Sequence, residues 1–346
     1  MAKLEKNLDV FLVVTALELS PTTFHLRSQP NERTLPYERK VCKRESVLSE
    51  ASTEGFVDAL GRKLYYKSFG KPTKGCVLGL HGGPGLTHDY ILPLVDLARF
   101  GYQVVLYDQL GCGKSQIPKN IGLFTVERAV EEVESVRQGL KLGRIHLYGS
   151  SYGGLLAIAY TLKYHKNMLS LITMGGLANV PFCVSEMQKM KASLPPDVVK
   201  TMELYEEAGD YSNVEYQKAT QEFLKRYFCR LEEWPKDLQY SLEHLSQSVY
   251  ITMNGPTEFM IIGGLRYWDV SDQLHKIGVP TLVTCGKYDE VSPKEARNIH
   301  KGIRGSKLVV FQNSSHLAIW EERDRYIDVL RKFLDSVAAK TSRRLR

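Results

Sequence analysis

From Gly55 onward the chain alternates short apolar runs that end in glycine-rich loops with amphipathic stretches of helical spacing. "KLYYKSFG" (Lys63–Gly70) has a β-rich composition, and "CVLGLHGGPG" (Cys76–Gly85) is an apolar run closing in a glycine loop. "QVVLYDQLGCGKS" (Gln103–Ser115) and "IHLYGSSYGG" (Ile145–Gly154) repeat that plan, the second leading into the helical "LLAIAYTLKY". "LSLITMGG" (Leu169–Gly176), "PTLVTCGKYDE" (Pro280–Glu290) and "KLVVFQNSSH" (Lys307–His316) continue it. Runs rich in Val, Ile and Leu, alternating with helices such as "VERAVEEVESVRQGL", predict an α/β fold: a mostly parallel sheet covered by helices on both faces.

One interval breaks the alternation. Residues 180–265 hold no convincing strand, only amphipathic segments such as "PDVVKTMELYEEAG" and "VEYQKATQEFLKRYF". A helical insertion between strands of such a sheet predicts a cap over the strand ends, where open α/β sheets place their sites. The expected organisation is therefore a core over 55–179 and 266–339 with a helical cap over 180–265. Residues 1–54 lack clear periodicity and form an extension; residues 340–346 form a basic tail.

Composition narrows the class. The 346 residues suffice for one large α/β domain or two smaller ones, and 43% hydrophobic with 25% charged residues is ordinary for a soluble globular protein. The net charge of +7 raises nucleic acid as a partner, but Lys340, Arg343, Arg344 and Arg346 carry four of those charges on the tail, which reads as a solvated terminus. Six cysteines with no C-x-x-C pair suit neither a metal site nor a disulfide framework, and they read as reduced thiols of a cytoplasmic protein. Cys112, between two glycines, is expected to be exposed. "VFLVVTAL" (Val10–Leu17) lies between Asp9 and Glu18, lacks an A-x-A cleavage site and is too short to span a bilayer, so no membrane partner is expected.

The loops carry candidate chemistry. Gly149-Ser150-Ser151-Tyr152-Gly153 matches G-x-S-x-G between an apolar run and a helix, the setting of a nucleophile elbow. A small residue at a tight bend is the plainer alternative. A serine nucleophile needs a base and an orienting acid, which in this fold type follow in the order acid, then histidine. Asp289 and His316 each follow an apolar run in that order; Glu290 competes for the acid role, with Asp289 favoured. Among the histidines only His316 combines the order with the loop. The oxyanion donors expected are the N–H of Tyr152, which follows the nucleophile, and that of Gly83 in "HGGPG". Asp108 and Gln109 are expected to tie the two glycine loops together, and Trp268 with Asp269 to mark the return from cap to core.

"HGGPG" (His81–Gly85), "DQLGCGKS" (Asp108–Ser115) and "GSSYGG" (Gly149–Gly154) together resemble the proline iminopeptidase (prolyl aminopeptidase) family of α/β-hydrolases. "MNGPTEF" (Met253–Phe259) and "GKYDEVSP" (Gly286–Pro293) most resemble its branch containing the tricorn-interacting aminopeptidase of archaea. The resemblance runs from about Phe56 to about Leu334. It implies an α/β-hydrolase fold, a triad of Ser151, Asp289 and His316, and an oxyanion hole at Gly83 and Tyr152. It further implies that Glu258 and Glu290 bind the substrate's free amino terminus, with Tyr250 close by. An exopeptidase must tell a terminal ammonium from an internal amide, and a carboxylate does so by charge. At 4 Å one such pair is worth roughly 1 kcal/mol in water and about 4 kcal/mol at an effective dielectric of 20.

The expected activity is that of a serine aminopeptidase releasing N-terminal residues, preferentially proline, from short peptides through an acyl-enzyme. No metal or cofactor is implied, and the resemblance raises a larger peptidase system as a partner. An amidase or esterase on the same scaffold is the first rival. A non-catalytic ligand-binding protein is the second. An epoxide hydrolase would need an aspartate at position 151.

Overall fold

The protein is described here by a computed structural model covering residues 51–344. The expected extension over 1–54, with its apolar run and Cys42, lies almost entirely outside the described residues.

One eight-stranded sheet organises the chain, in the order β1-β2-β4-β3-β5-β6-β7-β8. β1 (Thr53–Ala59) and β2 (Arg62–Phe69) form an antiparallel hairpin, and β2 also runs antiparallel to β4 (Tyr102–Tyr107). The hairpin turns through Leu60 and Gly61, both at positive φ (54° and 73°), the backbone a two-residue loop between right-twisted strands demands. β1 was not foreseen, because its edge position leaves most of its residues exposed or half-buried and blurs the apolar signal.

The other strands, β3 (Gly75–Leu80), β5 (Ile145–Ser150), β6 (Met168–Met174), β7 (Thr281–Gly286) and β8 (Lys307–Phe311), run parallel to their neighbours. Every residue of β5 and β7 is buried, which explains their continuous apolar runs. α1 (Val126–Gly139) turns Val126, Val130, Val133 and Val136 inward at helical spacing. α2 (Tyr152–Tyr164) follows β5 directly and is buried nearly all round, so its sequence is apolar rather than amphipathic.

Between β6 and β7 stand five α-helices, α3 (Val180–Ala192), α4 (Pro196–Ala208), α5 (Val214–Tyr227), α6 (Lys236–Glu243) and α7 (Gln247–Met253), followed by a 3-10 turn over Ser271–Lys276. Their two stems are joined where the chain leaves and returns. The Val180 N–H donates to the Trp268 carbonyl (3.0 Å), the Val270 N–H to the Ala178 carbonyl (2.9 Å), and the Asn179 side chain to Asp269 (2.7 Å). Asn179 also caps α3 by accepting from the Phe182 N–H. Trp268 and Asp269 thus stand at the return, as expected. α8 (Pro293–Gly302), the short α9 (Ala318–Glu321) and α10 (Arg323–Arg344) complete the core.

Two expectations are corrected. Cys112 is buried, at 1% exposure. Gly111 and Gly113 (φ 81° and 48°) fold its loop back on itself, and Gly111 packs beneath Phe124 and Val249. Flanking glycines mark a sharp bend; other elements decide whether that bend meets solvent. The basic tail is also less separate than expected, since α10 continues through Arg344.

Candidate active site

Five adjacent parallel strands deliver their C-terminal ends to one edge of the sheet. Gly83 follows β3, Ser151 follows β5, Gly175 follows β6, Asp289 follows β7 and His316 follows β8. Parallel pairing alone therefore gathers residues far apart in sequence into one crevice.

Ser151 occupies the turn between β5 and α2 at φ 56° and ψ −124°, a conformation non-glycine residues seldom adopt and one that costs of order 1–3 kcal/mol. The turn is enforced by contact. A side-chain carbon on Gly149 would strike the Gly153 carbonyl oxygen, and one on Gly153 would strike that of Leu80. The Ser151 N–H donates to the Met174 carbonyl (2.8 Å), fixing the elbow to β6. Tyr152 begins α2, so its N–H belongs to the first turn, whose amides have no intrahelical acceptor.

The His81–Gly85 loop lies against the elbow. A Cβ on Gly82 would come 2.7 Å from the Ser151 Cβ, and the Gly82 N–H donates to the Tyr90 hydroxyl (2.7 Å). Gly83 has φ 108° and precedes a cis-proline. His81 holds this loop to the next. Its Nε2 accepts the Gln109 N–H (3.0 Å), which leaves the proton on Nδ1 to reach the Gly82 carbonyl (3.1 Å). Burial pushes the His81 imidazole down to about 4, keeping it in that neutral form. The Gln109 amide donates to the His81 carbonyl (2.7 Å), and Asp108 accepts from the His88 and Lys114 amides (2.9 and 3.0 Å).

His316 and Asp289 meet directly, with Nδ1 2.7 Å from Oδ1, and both are 1% exposed. The Asp289 Oδ1 also accepts the Val291 N–H at 3.0 Å. Glu290, its rival in the sequence, lies on the other side of the ring, with Oε1 3.9 Å from His316 Nε2. Gly175 (φ 54°) makes room for this pair, because a Cβ there would come 2.6 Å from His316 Nδ1. Phe228 stacks on the imidazole, ring centroids 5.9 Å apart.

Glu258 projects from the loop after α7 and receives the Tyr250 hydroxyl hydrogen bond at 2.7 Å. A cavity of about 850 Å³, counted out to solvent, brings Gly83, Ser151, Tyr250, Glu258, Glu290 and His316 together. Its remaining wall is mainly apolar and aromatic, with Tyr216, Leu224, Leu242 and Phe259 among its residues. A second depression of about 410 Å³ shares Gly83, Ser151, Glu258 and Glu290 and opens toward Tyr152, Met187 and Leu265. All eight residues singled out in the sequence thus border this space or, in the case of Asp289, stand behind His316. Among the described residues no group of three His, Cys, Asp or Glu side chains is arranged to hold a metal.

The electrostatics are unusual. Burial raises Glu290 to about 8; His316 opposes the rise, while Glu258 and Asp289 add to it. Burial likewise raises Glu258, against the Tyr250 hydrogen bond and His316. Burial would lower His316, but Asp289, then Glu290 and Glu258, outweigh it and bring the imidazole to about 9. At neutral pH the cluster therefore retains protons that isolated side chains would shed.

Two supports were not foreseen in the sequence. The Tyr227 carbonyl, at the end of α5, accepts both the Glu290 N–H (3.2 Å) and the His316 N–H (3.0 Å). Glu321 accepts the Ser315 and Arg230 amides, each at 2.6 Å, tying the cap to the His316 loop. The first acts through its backbone and the second through a tertiary contact, so neither leaves a local pattern. Gly175 was visible only as a strand-end glycine.

Comparison with known proteins agrees with this geometry. The family model for the alpha/beta hydrolase fold matches residues 75–323. The chain is 45% identical to the proline iminopeptidase of Saccharolobus solfataricus over 287 residues, covering 82% of this chain and 93% of that protein. Against the proline iminopeptidase of Thermoplasma volcanium it is 44% identical over 286 residues, covering 82% and 96%. Among solved structures, VinJ superposes with a TM-score of 0.81 at 34% identity, over 83% of this chain and all of that one. The proline iminopeptidase of Mycobacterium smegmatis gives 0.79 at 28% identity, over 84% of this chain and all of that one. By fold, by loop chemistry and by identity over most of its length, the chain belongs to the proline iminopeptidases of the α/β-hydrolase fold family.

Proposed function

We propose that the protein is a serine aminopeptidase that releases N-terminal residues, proline foremost, from short peptides. One observation carries this reading: two carboxylates, Glu258 and Glu290, border the same cavity as Ser151 and His316. In a generic hydrolase, acids in an apolar cleft would be a cost without return. For a substrate with a terminal ammonium they are the recognition element.

In this mechanism the ammonium lies between Glu258 and Glu290, and Tyr250 orients Glu258 through its hydroxyl. Anchoring the amine sets the first carbonyl against Ser151, which attacks while His316 Nε2 takes its proton. Asp289 holds the Nδ1–H and stabilises the imidazolium. The Gly83 and Tyr152 amides receive the oxyanion. His316 then protonates the leaving amine, and water hydrolyses the acyl-enzyme by the same route. The two depressions meeting at Ser151 serve the side chain of the first residue and the departing peptide.

The cytoplasm suits this activity, since Cys76, Cys112, Cys183, Cys229 and Cys285 are buried free thiols. Among the described residues no helix is long and apolar enough to cross a membrane. Short peptides with free N-termini are what a larger peptidase system releases, and such a system is the partner we assign. A panel of aminoacyl-arylamides, each free and N-acetylated, tests the activity. Prolyl-arylamide should be cleaved fastest and the acetylated forms poorly; efficient cleavage of acetylated forms would overturn the amine-anchor reading.

A further inference from the structure

The nitrogen of His316 that must accept the Ser151 proton is Nε2, and the acid nearest it is Glu290. The ring is held between carboxylates on both sides: Asp289 at 2.7 Å from Nδ1 and Glu290 at 3.9 Å from Nε2. The Glu290 placement is built in, because one carbonyl, that of Tyr227, takes the backbone N–H of both Glu290 and His316. Glu290 is 4% exposed, and its Oε2 has no hydrogen-bond partner among the described residues. An acid so placed, facing the base from the side of the nucleophile, stabilises the imidazolium of the empty site whenever it is ionised.

We propose that Glu290 couples recognition of the substrate amine to activation of the base. In the empty site it holds His316 protonated on Nε2; when the ammonium enters between Glu258 and Glu290, that hold is discharged and Nε2 is freed for Ser151. The proposal rests on the amine-anchor reading and extends it. The balance is simple: the incoming ammonium brings one positive charge, the Nε2–H bond breaks, and its proton leaves to water. The electron pair stays on Nε2, where the next step uses it to take the Ser151 proton. The acids facing His316 come from both layers, Asp289 and Glu290 from the β7 loop and Glu258 from the cap, while Tyr250 donates its hydroxyl hydrogen bond to Glu258. The imidazole raised to about 9 in the empty site agrees with this placement. Glu290 here acts through His316, as a residue that sets when the base is available. A substrate lacking the amine would then be penalised in the chemical step as well as in binding.

The test uses pH–rate profiles of the full chain with p-nitrophenyl acetate, which has no amine, and prolyl-arylamide. The value of kcat/KM for the ester reports the empty site, and kcat for the arylamide reports the amine-filled site. The acidic limb, on which activity is lost as His316 takes up its proton, should lie at considerably higher pH for the ester than for the arylamide. In Glu290→Gln the ester limb should move to lower pH by about one unit, so that ester hydrolysis on that limb, at a pH where Glu290 of the parent is ionised, rises by up to about tenfold, the factor carried by one unit of pKa. Arylamide hydrolysis should fall in the same variant. Coincident limbs for the two substrates in the parent enzyme overturn the proposal, whatever the variant's folding. So does an ester limb that stays in place in a folded Glu290→Gln protein. An arylamide rate left unchanged by Glu290→Gln would instead overturn the amine-anchor reading beneath it.

Discussion

The sheet edge and the cap contribute to one site by different physical means. Each core residue sits just beyond a strand, so backbone pairing places it: Ser151 after β5, Asp289 after β7, His316 after β8. The cap residues owe their positions to tertiary contacts. Glu258 is set by the Tyr250 hydroxyl, and its loop by the Asn254 amide donating to the Thr257 carbonyl (3.1 Å) and the Gly263 N–H donating to the Asn254 carbonyl (2.8 Å). The cap is still no free lid. The Ser246 N–H donates to the Gly85 carbonyl (2.8 Å), and the Tyr227 carbonyl accepts from the loops that carry Glu290 and His316. In the proposed function the core supplies chemistry that any acyl substrate can use, and Glu258 of the cap, with Glu290 of the core, supplies the test for a terminal amine.

The largest expected effect removes what both regions depend on. Ser151→Ala should lower turnover of prolyl-arylamide and of a simple ester alike, by roughly 10⁴-fold or more. Circular dichroism should be unchanged, since alanine meets the same backbone demand at φ 56°. Substantial ester turnover by the pure, folded variant would show that the elbow is not the nucleophile. The comparison between core and cap would then lose its core half.

This contrast also explains how legible each part is in the sequence. The elbow announces itself because Gly149 and Gly153 are demanded by backbone contact, so chemistry and spacing share five consecutive residues. Asp289 and His316 could be chosen because strands β7 and β8 are apolar runs with visible ends, although Asp289 and Glu290 could not be separated by spacing. The resemblance already favours Asp289, and the geometry gives the physical difference, a 2.7 Å contact to Nδ1 against 3.9 Å to Nε2. Glu258 was reachable only through resemblance, because nothing local in "MNGPTEF" says which way its carboxylate turns. The Tyr227 carbonyl has no side-chain identity to read at all. Cys112 shows the converse: its flanking glycines suggest an exposed loop, but burial came from Phe124 and α7, whose approach no local pattern records.

A second prediction separates the regions. Glu258→Gln keeps the shape of the cap loop and removes its charge. On unblocked prolyl-arylamide kcat/KM should fall by roughly ten- to a thousandfold, scaled from a charge pair worth up to about 4 kcal/mol in a partly desolvated cleft. Ester hydrolysis should hold steady or rise slightly at neutral pH, because Glu258 is one of the acids that raise His316. Equal losses on both substrates would mean that Glu258 supports the triad itself, and the division between chemistry and recognition would fail.

The smallest effect asks whether Tyr250 belongs to recognition or only to packing. Tyr250 is 2% exposed, and its hydroxyl donates to Glu258 at 2.7 Å. Tyr250→Phe keeps the ring and removes that donor, so the ester rate should not change. On prolyl-arylamide the loss should be no more than about tenfold, since a hydrogen bond to a charged group contributes about 1.5–3 kcal/mol and the substrate ammonium compensates part of it. The sign of its pH dependence follows from Glu258. Burial raises that carboxyl and the Tyr250 hydrogen bond lowers it, so losing the bond raises it further. A smaller fraction of Glu258 is then ionised at any given pH, and the deficit deepens as pH falls. A plain packing role would instead give a loss shared by the ester and independent of pH. Measuring kcat/KM for both substrates between pH 5 and about pH 9 decides between the two, because only an orienting hydroxyl makes the arylamide deficit grow toward acid while leaving the ester untouched.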